Sequence, residues 1–167
     1  MSDIHEGSCL CGAVTYRATG TPTSAFACHC TFCQKSTGTA LRSAVAFPKE
    51  NVQFAGTSVN TYDHRSQDHG RVLTLQFCPR CGTGVGLTVE RNPAVQILSS
   101  GTFDDRSWFK IGTHIFTRSA VNWMAFPPGV TCFARHRVTE DGKPEEPLAA
   151  QSRPWVKADL LDRKSVV

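Results

Sequence analysis

Residues 77–85 read Phe77-Cys78-Pro79-Arg80-Cys81-Gly82-Thr83-Gly84-Val85. Two cysteines two residues apart, closed by a glycine, make a tight knuckle that aims two thiolates at one ion, whereas neighbours this close rarely bridge each other. An apolar, β-rich run from Val72 to Phe77 enters the knuckle and a second, Val85 to Val89, leaves it. The stretch therefore predicts a metal-holding turn between two short strands.

The same grammar recurs along the chain. Gly7 to Arg17, GSCLCGAVTYR, alternates in side-chain character and reads as a strand entering from a second knuckle, with Cys9 and Cys11 together. Ala40–Phe47, Val52–Phe54 and Val95–Leu98 are further runs of strand length, separated by turn or loop signals at Pro48, Gly56, the polar stretch Asp63 to Gly70, and Asn92-Pro93. Only Thr31 to Thr37 reads as helix, ended by Gly38. The expectation is a mainly β protein of short strands with few short helices. In a chain of 167 residues, 40% hydrophobic and 19% charged with 13 Gly and 9 Pro, one turn-rich domain can bury a core without disulfides. That domain is expected to span residues 1–137. Beyond it the composition turns to Glu140, Asp141, Lys143, Pro144, Glu145, Glu146 and Pro147, a solvated segment, and residues 138–167 read as a polar tail in which Trp155, Leu160 and Leu161 form either a short docking helix or a frayed end.

No stretch has the make-up of a secretory leader or a membrane span, so a cytoplasmic, soluble protein is expected. In a reducing compartment eight cysteines point to metal before disulfides, which would offer about 105 pairings. Iron–sulfur ligation is less apt, since neither cluster has ferredoxin spacing. Zinc takes four tetrahedral ligands, so the seven clustered cysteines divide into four and three. Cys28-x-Cys30-x-x-Cys33 can bite one ion with three sulfurs, leaving Cys9, Cys11, Cys78 and Cys81 to close the other site and tie distant segments together. The expectation is two Zn²⁺ sites, one a structural Cys₄ centre and one an open Cys₃ centre suited to sulfur chemistry, unless His29, Cys132 or a distant histidine completes it. Seven thiolates and two Zn²⁺ would reduce the formal charge of +4 to about +1. The basic balance thus gives no reason to expect nucleic acid.

Other residues have competing readings. His114 could be a general acid or base, but a structural histidine on a strand is the leading reading. Asp104 and Asp105 read better as an ordinary turn than as substrate contacts, and His29, flanked by two ligands, is expected to point away from them. Trp108, Phe109, Trp123 and Phe126 could line a pocket over the metal, though core packing is commoner, and Cys132 reads as a buried inert thiol.

The segments GSCLCGAVTY, CHCTFCQKSTG, FCPRCGTGV, SGTFDD and HIF together resemble the family of glutathione-dependent formaldehyde-activating enzymes, over roughly Gly7 to His136. The resemblance implies a β-tent fold of short antiparallel strands with zinc knuckles. It also implies structural zinc ligation by Cys9, Cys11, Cys78 and Cys81, with Cys28, Cys30 and Cys33 as the labile, functional set. The activity implied is that of a carbon–sulfur lyase, adding glutathione to formaldehyde or acting on a related thioadduct. Two alternatives come with similar β-tent proteins: a reductase using Cys132 as nucleophile, and a non-catalytic protein-interaction module.

Overall fold

The computed structural model describes residues 3–66, 70–139 and 141–149. In chain order the strands are β1 (Ile4–Ser8), β2 (Val14–Thr19), β3 (Ser24–Cys28), β4 (Arg42–Pro48), β5 (Val52–Gly56) and β6 (Asn60–Arg65). There follow β7 (Val72–Phe77), β8 (Gly84–Val89), β9 (Val95–Ser99), β10 (Thr113–Ile115) and β11 (Thr131–Cys132), with one α-helix, α1 (Thr31–Thr37). The chain is mainly β, as its short apolar runs predicted. Its described residues fall into two compact units, one from Met1–Ala25 and Ser43–Lys110, the other from Phe26–Arg42 and Ile111–Val167.

In the first unit β1, β2 and β5 form an antiparallel sheet, and β4, β9, β8, β7 and β6 follow one another in a second antiparallel array. Along β2, Val14, Tyr16 and Ala18 are buried while Thr15 and Arg17 are exposed, the alternation of a half-covered strand. Tyr16 and Ala18 pack with Val45 and Phe47 of β4, Leu98 of β9 and Phe103, so the main core of this unit lies between the two sheets. A second cluster joins Cys9 and Val14 to Cys78 and Val85. Gly86 lies so close to its neighbour strand that a Cβ there would collide with the Ile97 carbonyl.

Two expectations for this unit change. Gly7 to Arg17 is not one strand: β1 and β2 form a hairpin whose turn carries Cys9 and Cys11, because the Gly12 backbone takes the left-handed conformation at φ 70° and reverses the chain. The expected loop from Asp63 is in part β6, paired with β7 from Asn60↔Phe77 to Arg65↔Val72. Nearly every β6 side chain is exposed, so backbone pairing alone makes the strand and no apolar alternation announces it.

The second unit runs in the order β11, β10, β3, with parallel pairs Phe26–Cys28 against Thr113–Ile115 and Thr113–His114 against Thr131–Cys132. These pieces are too short for periodicity, and their partners arrive from far along the chain. α1 occupies the expected residues, and Gly38 ends it at φ 67° with its N–H donating to the Gln34 carbonyl at 2.9 Å. One core cluster gathers Cys28, Cys33 and Ile115; another gathers Phe126, Val130 and Cys132. In the polar segment after 137, Val138 bridges Pro144, the Leu148 N–H donates to the Cys132 carbonyl at 2.8 Å, and Leu148 packs on the second cluster. The docking-helix residues Trp155, Leu160 and Leu161 lie outside the described residues. Among the described residues no helix is long and apolar enough to cross a membrane.

Candidate metal centres

The first unit brings Cys9, Cys11, Cys78 and Cys81 together with all four Sγ atoms within 4.8 Å of one another. Two turns of matching design present them. At one, the Cys9 N–H donates to the Val14 carbonyl and the Gly12 N–H to the Cys9 carbonyl; at the other, the Cys78 N–H donates to Thr83 and the Gly82 N–H to Cys78. Both glycines are left-handed, at φ 70° and 73°. The sulfurs also accept backbone hydrogen bonds, Cys9 Sγ from Val14 N–H at 3.3 Å and Cys78 Sγ from Arg80 N–H at 3.4 Å. The hydrogen bond from Thr83 Oγ1, reinforced by backbone N–H groups, lowers the Cys81 thiol to about 5.

The spacing of the sulfurs tests the donor set. A tetrahedron of 2.3 Å metal–sulfur bonds has edges of about 3.8 Å. Cys9 Sγ and Cys11 Sγ are 3.6 Å apart and Cys11 Sγ and Cys78 Sγ 3.8 Å, far too long for disulfides and close to that edge. None of the eight cysteines, all of them among the described residues, is in a disulfide.

The second unit gathers Cys28, Cys30 and Cys33, again with Sγ atoms within 4.8 Å, and no fourth ligating side chain joins them among the described residues. The local sequence is enough to do this. β3 ends at Cys28 and Cys30 is still extended, at φ −65° and ψ 153°, so the two side chains, two residues apart, share a face, with Sγ atoms 3.5 Å apart. Cys30 is also the N-cap of α1, and its Sγ accepts the Cys33 N–H at 3.4 Å, as a serine oxygen would. Hydrogen bonds from the Cys28 and Cys33 thiols hold Cys30 down at about 3, while hydrogen bonding to Cys30 and Cys33, with burial, raises Cys28. Both centres thus offer soft donors at spacings that fit a thiophilic ion such as zinc.

The three-cysteine loop is clamped from behind. The Gln34 Nε2 group donates to the His29 carbonyl at 2.6 Å and to the Ser119 carbonyl at 2.8 Å, and the His29 N–H donates to Ile115. The His29 ring is fully buried, lies against Phe126, and shares a 2.9 Å hydrogen bond between its Nε2 and His114 Nδ1. Burial, then the neighbouring His114, lowers His29 to about 4, and burial lowers His114 also, the direction that favours the neutral ring needed as acceptor in an N–H···N bond. His29 Nδ1 is buried without a protein partner. His114→Ala would therefore strand both ring nitrogens of His29 and is expected to destabilise the chain by about 1–3 kcal/mol in urea unfolding of the metal-loaded protein. His114→Asn, which can replace Nδ1, should recover much of the loss, and an alanine variant with the parental midpoint would show that the pair contributes nothing.

The remaining sequence candidates sit elsewhere. Asp105 Oδ1 accepts the Ser107 N–H at 2.8 Å and the Asp105 carbonyl accepts Trp108 Nε1–H, an ordinary exposed turn. Trp108 and Phe109 pack on the main core of the first unit, and Phe126 is core in the second. Trp123 is 63% exposed and lies in an exposed turn, outside the described core clusters. Cys132 is fully buried. The rings that do pack against the three-cysteine cluster are Phe26, Phe32, Phe116 and Phe133, which sequence reasoning did not single out. The HIF segment contained one of them, with nothing in it to show where the ring would go.

Comparison with known proteins places this geometry in context. No curated protein sequence matches the chain. A solved structure of a Rhodobacter sphaeroides protein aligns at 17% identity with a TM-score of 0.49, over 64% of this chain and 96% of that one. The pattern of the family described as glutathione-dependent formaldehyde-activating enzyme matches residues 4–119, an interval that contains all seven clustered cysteines, His29 and His114. Since that match spans well over half its length, the chain belongs to the glutathione-dependent formaldehyde-activating enzyme family.

Proposed function

We propose that the chain is a zinc-dependent carbon–sulfur lyase that joins a small thiol such as glutathione to an aldehyde such as formaldehyde, and reverses that addition. The observation that carries the reading is the three-cysteine centre: three converging sulfurs on a clamped loop, with no fourth ligating side chain among the described residues. In the net reaction the thiol sulfur bonds to the carbonyl carbon, the carbonyl π pair moves onto oxygen, and the thiol proton ends on that oxygen. Zinc at such a centre supplies positive charge that holds sulfur as thiolate and polarises a carbonyl oxygen.

The chain's own residues have distinct parts in this reading. Cys28, Cys30 and Cys33 hold the functional ion, and Cys9, Cys11, Cys78 and Cys81 the structural one, for two Zn²⁺ in all. His29, His114 and Gln34 fix the Cys28–Cys30 loop, and are positioning residues. The half-buried phenylalanines beside Cys28 and Cys33 keep water from part of the centre, which strengthens electrostatic effects there. Residues 1–137 hold every one of these groups and form the domain that carries the activity, with 138–167 as its tail, and a cytoplasmic location would supply glutathione.

Exchange NMR on a mixture of glutathione and formaldehyde tests the proposal. The zinc-loaded chain at micromolar concentration should accelerate formation and breakdown of S-hydroxymethylglutathione well above the rate without protein. An exchange rate equal to that background, for glutathione and for a panel of other thiols and aldehydes, would sink the enzyme reading and leave the protein-interaction module.

A further inference from the structure

We infer that Phe116, with Phe32 and Phe133, forms an aromatic wall at the three-cysteine centre that selects thioadducts carrying an apolar substituent on the carbon beside sulfur. This rests on the thiol–aldehyde reading above and names its substrate class.

Phe116 is the one non-glycine residue with positive φ among the described residues, at φ 56° and ψ 36°. A bulky side chain is disfavoured there because its Cβ crowds the backbone, whereas glycine adopts the conformation freely. Such strain persists only where the surroundings impose it, and it concentrates at functional sites. Here the surroundings do impose it. The Phe116 N–H donates to the Arg135 carbonyl at 2.8 Å, the Ser119 N–H returns to the Phe116 carbonyl at 3.0 Å, and the next residue is pinned twice, Thr117 N–H and Oγ1 both donating to the Phe133 carbonyl.

The strained turn has a specific result. In an extended strand, neighbouring side chains point to opposite faces, so a residue after Ile115 would point away from the cluster that Ile115 joins. Because the backbone leaves the extended region at 116, Ile115 and Phe116 pack on the same cluster, the one built on Cys28 and Cys33. Phe32, one residue before Cys33, and Phe133, whose carbonyl pins Thr117, pack on it as well. All three residues pack on the cluster of Cys28, Cys33 and Ile115 while remaining only partly buried. Filling the core alone does not need a phenylalanine forced into a glycine conformation. An apolar group held next to sulfur at the centre would pack on these residues and gain both area burial and ring–ring contact.

Calorimetric titration of the zinc-loaded full chain with S-benzylglutathione and S-methylglutathione reads the preference without turnover. The parent should bind the benzyl compound about ten-fold more tightly, the scale on which an apolar pocket discriminates. Phe116→Gly, which removes both ring and strain, should bring the two affinities within about three-fold while unfolding near the parental midpoint; Phe32→Ala, which leaves the turn untouched, should also narrow the ratio. Phe116→Leu should keep most of the preference. Equal binding of the probes by the parent, failure of both to bind, or an undiminished preference in both Phe116→Gly and Phe32→Ala overturns the wall. Exchange NMR on the same proteins separates the two readings: preference without turnover removes the lyase and keeps the wall, and turnover without preference does the reverse.

Discussion

Cys78→Ser is expected to lower the thermal midpoint by roughly 8–16 °C and to reduce soluble yield sharply, the largest stability effect of any single cysteine replacement in the chain. Apparent binding energies of structural zinc in small domains are on the order of 10–16 kcal/mol, and loss of one of four ligands should remove several of these. At about 4 kcal/mol, a domain of this size shifts by roughly 2–4 °C per kcal/mol. The position magnifies the loss. Cys78 is fully buried beside Val14 and Val85, and its sulfur stands 3.8 Å from that of Cys11, 67 residues away, so the centre joins the β1–β2 turn to the β7–β8 turn. Scanning calorimetry with zinc in excess is the measurement. A Cys78→Ser variant that melts with the parent would remove the structural role from this centre.

Cys30→Ser should behave in the opposite way: close to one zinc equivalent lost and thiol–aldehyde exchange reduced by at least roughly 100-fold, the upper end of what even a supporting residue of a metal site costs, with the fold retained. All three cysteines come from residues 28–33, so an ion held there would cross-link only a short segment and close little chain entropy. Serine, moreover, is a favoured N-cap, and its oxygen can accept the Cys33 N–H that Cys30 Sγ now accepts, so α1 keeps its start. Metal content by mass spectrometry, far-UV circular dichroism and exchange NMR together decide the matter. A midpoint as low as that of Cys78→Ser would make both centres structural, and full zinc with full turnover would show that Cys30 is not a ligand.

The sequence was most legible where local chemistry sufficed. Thr31–Thr37 was readable as a helix because Gly38 supplies the left-handed stop, and Val72–Phe77 as a strand because it combines apolar, β-rich residues with a knuckle at its end. β6 was not legible, since an exposed edge strand with polar side chains is held by its ladder with β7 and carries no apolar period. Nor were β3, β10 and β11, whose parallel pairing joins Phe26–Cys28 to Thr113–Ile115 and Thr113–His114 to Thr131–Cys132. Parallel partners need a long crossover, and nothing in five, three or two residues records where it lands.

The sequence by itself determined the donor chemistry: two knuckles and one C-x-C-x-x-C run place seven sulfurs in three short segments, and the last run converges through a strand end and an N-cap that its own residues specify. Dividing those sulfurs into four and three already grouped Cys9 and Cys11 with Cys78 and Cys81, and the structure supplies the contact; only the tertiary structure decided that His29 lies against His114, and that Phe26, Phe32, Phe116 and Phe133 pack on the cluster of Cys28 and Cys33. The physical reason is the range of the forces involved. Turn and cap preferences act within about four residues and are written in the local residue types. A neighbour 67 or 85 residues away, or a left-handed phenylalanine, exists only because the packed chain as a whole imposes it.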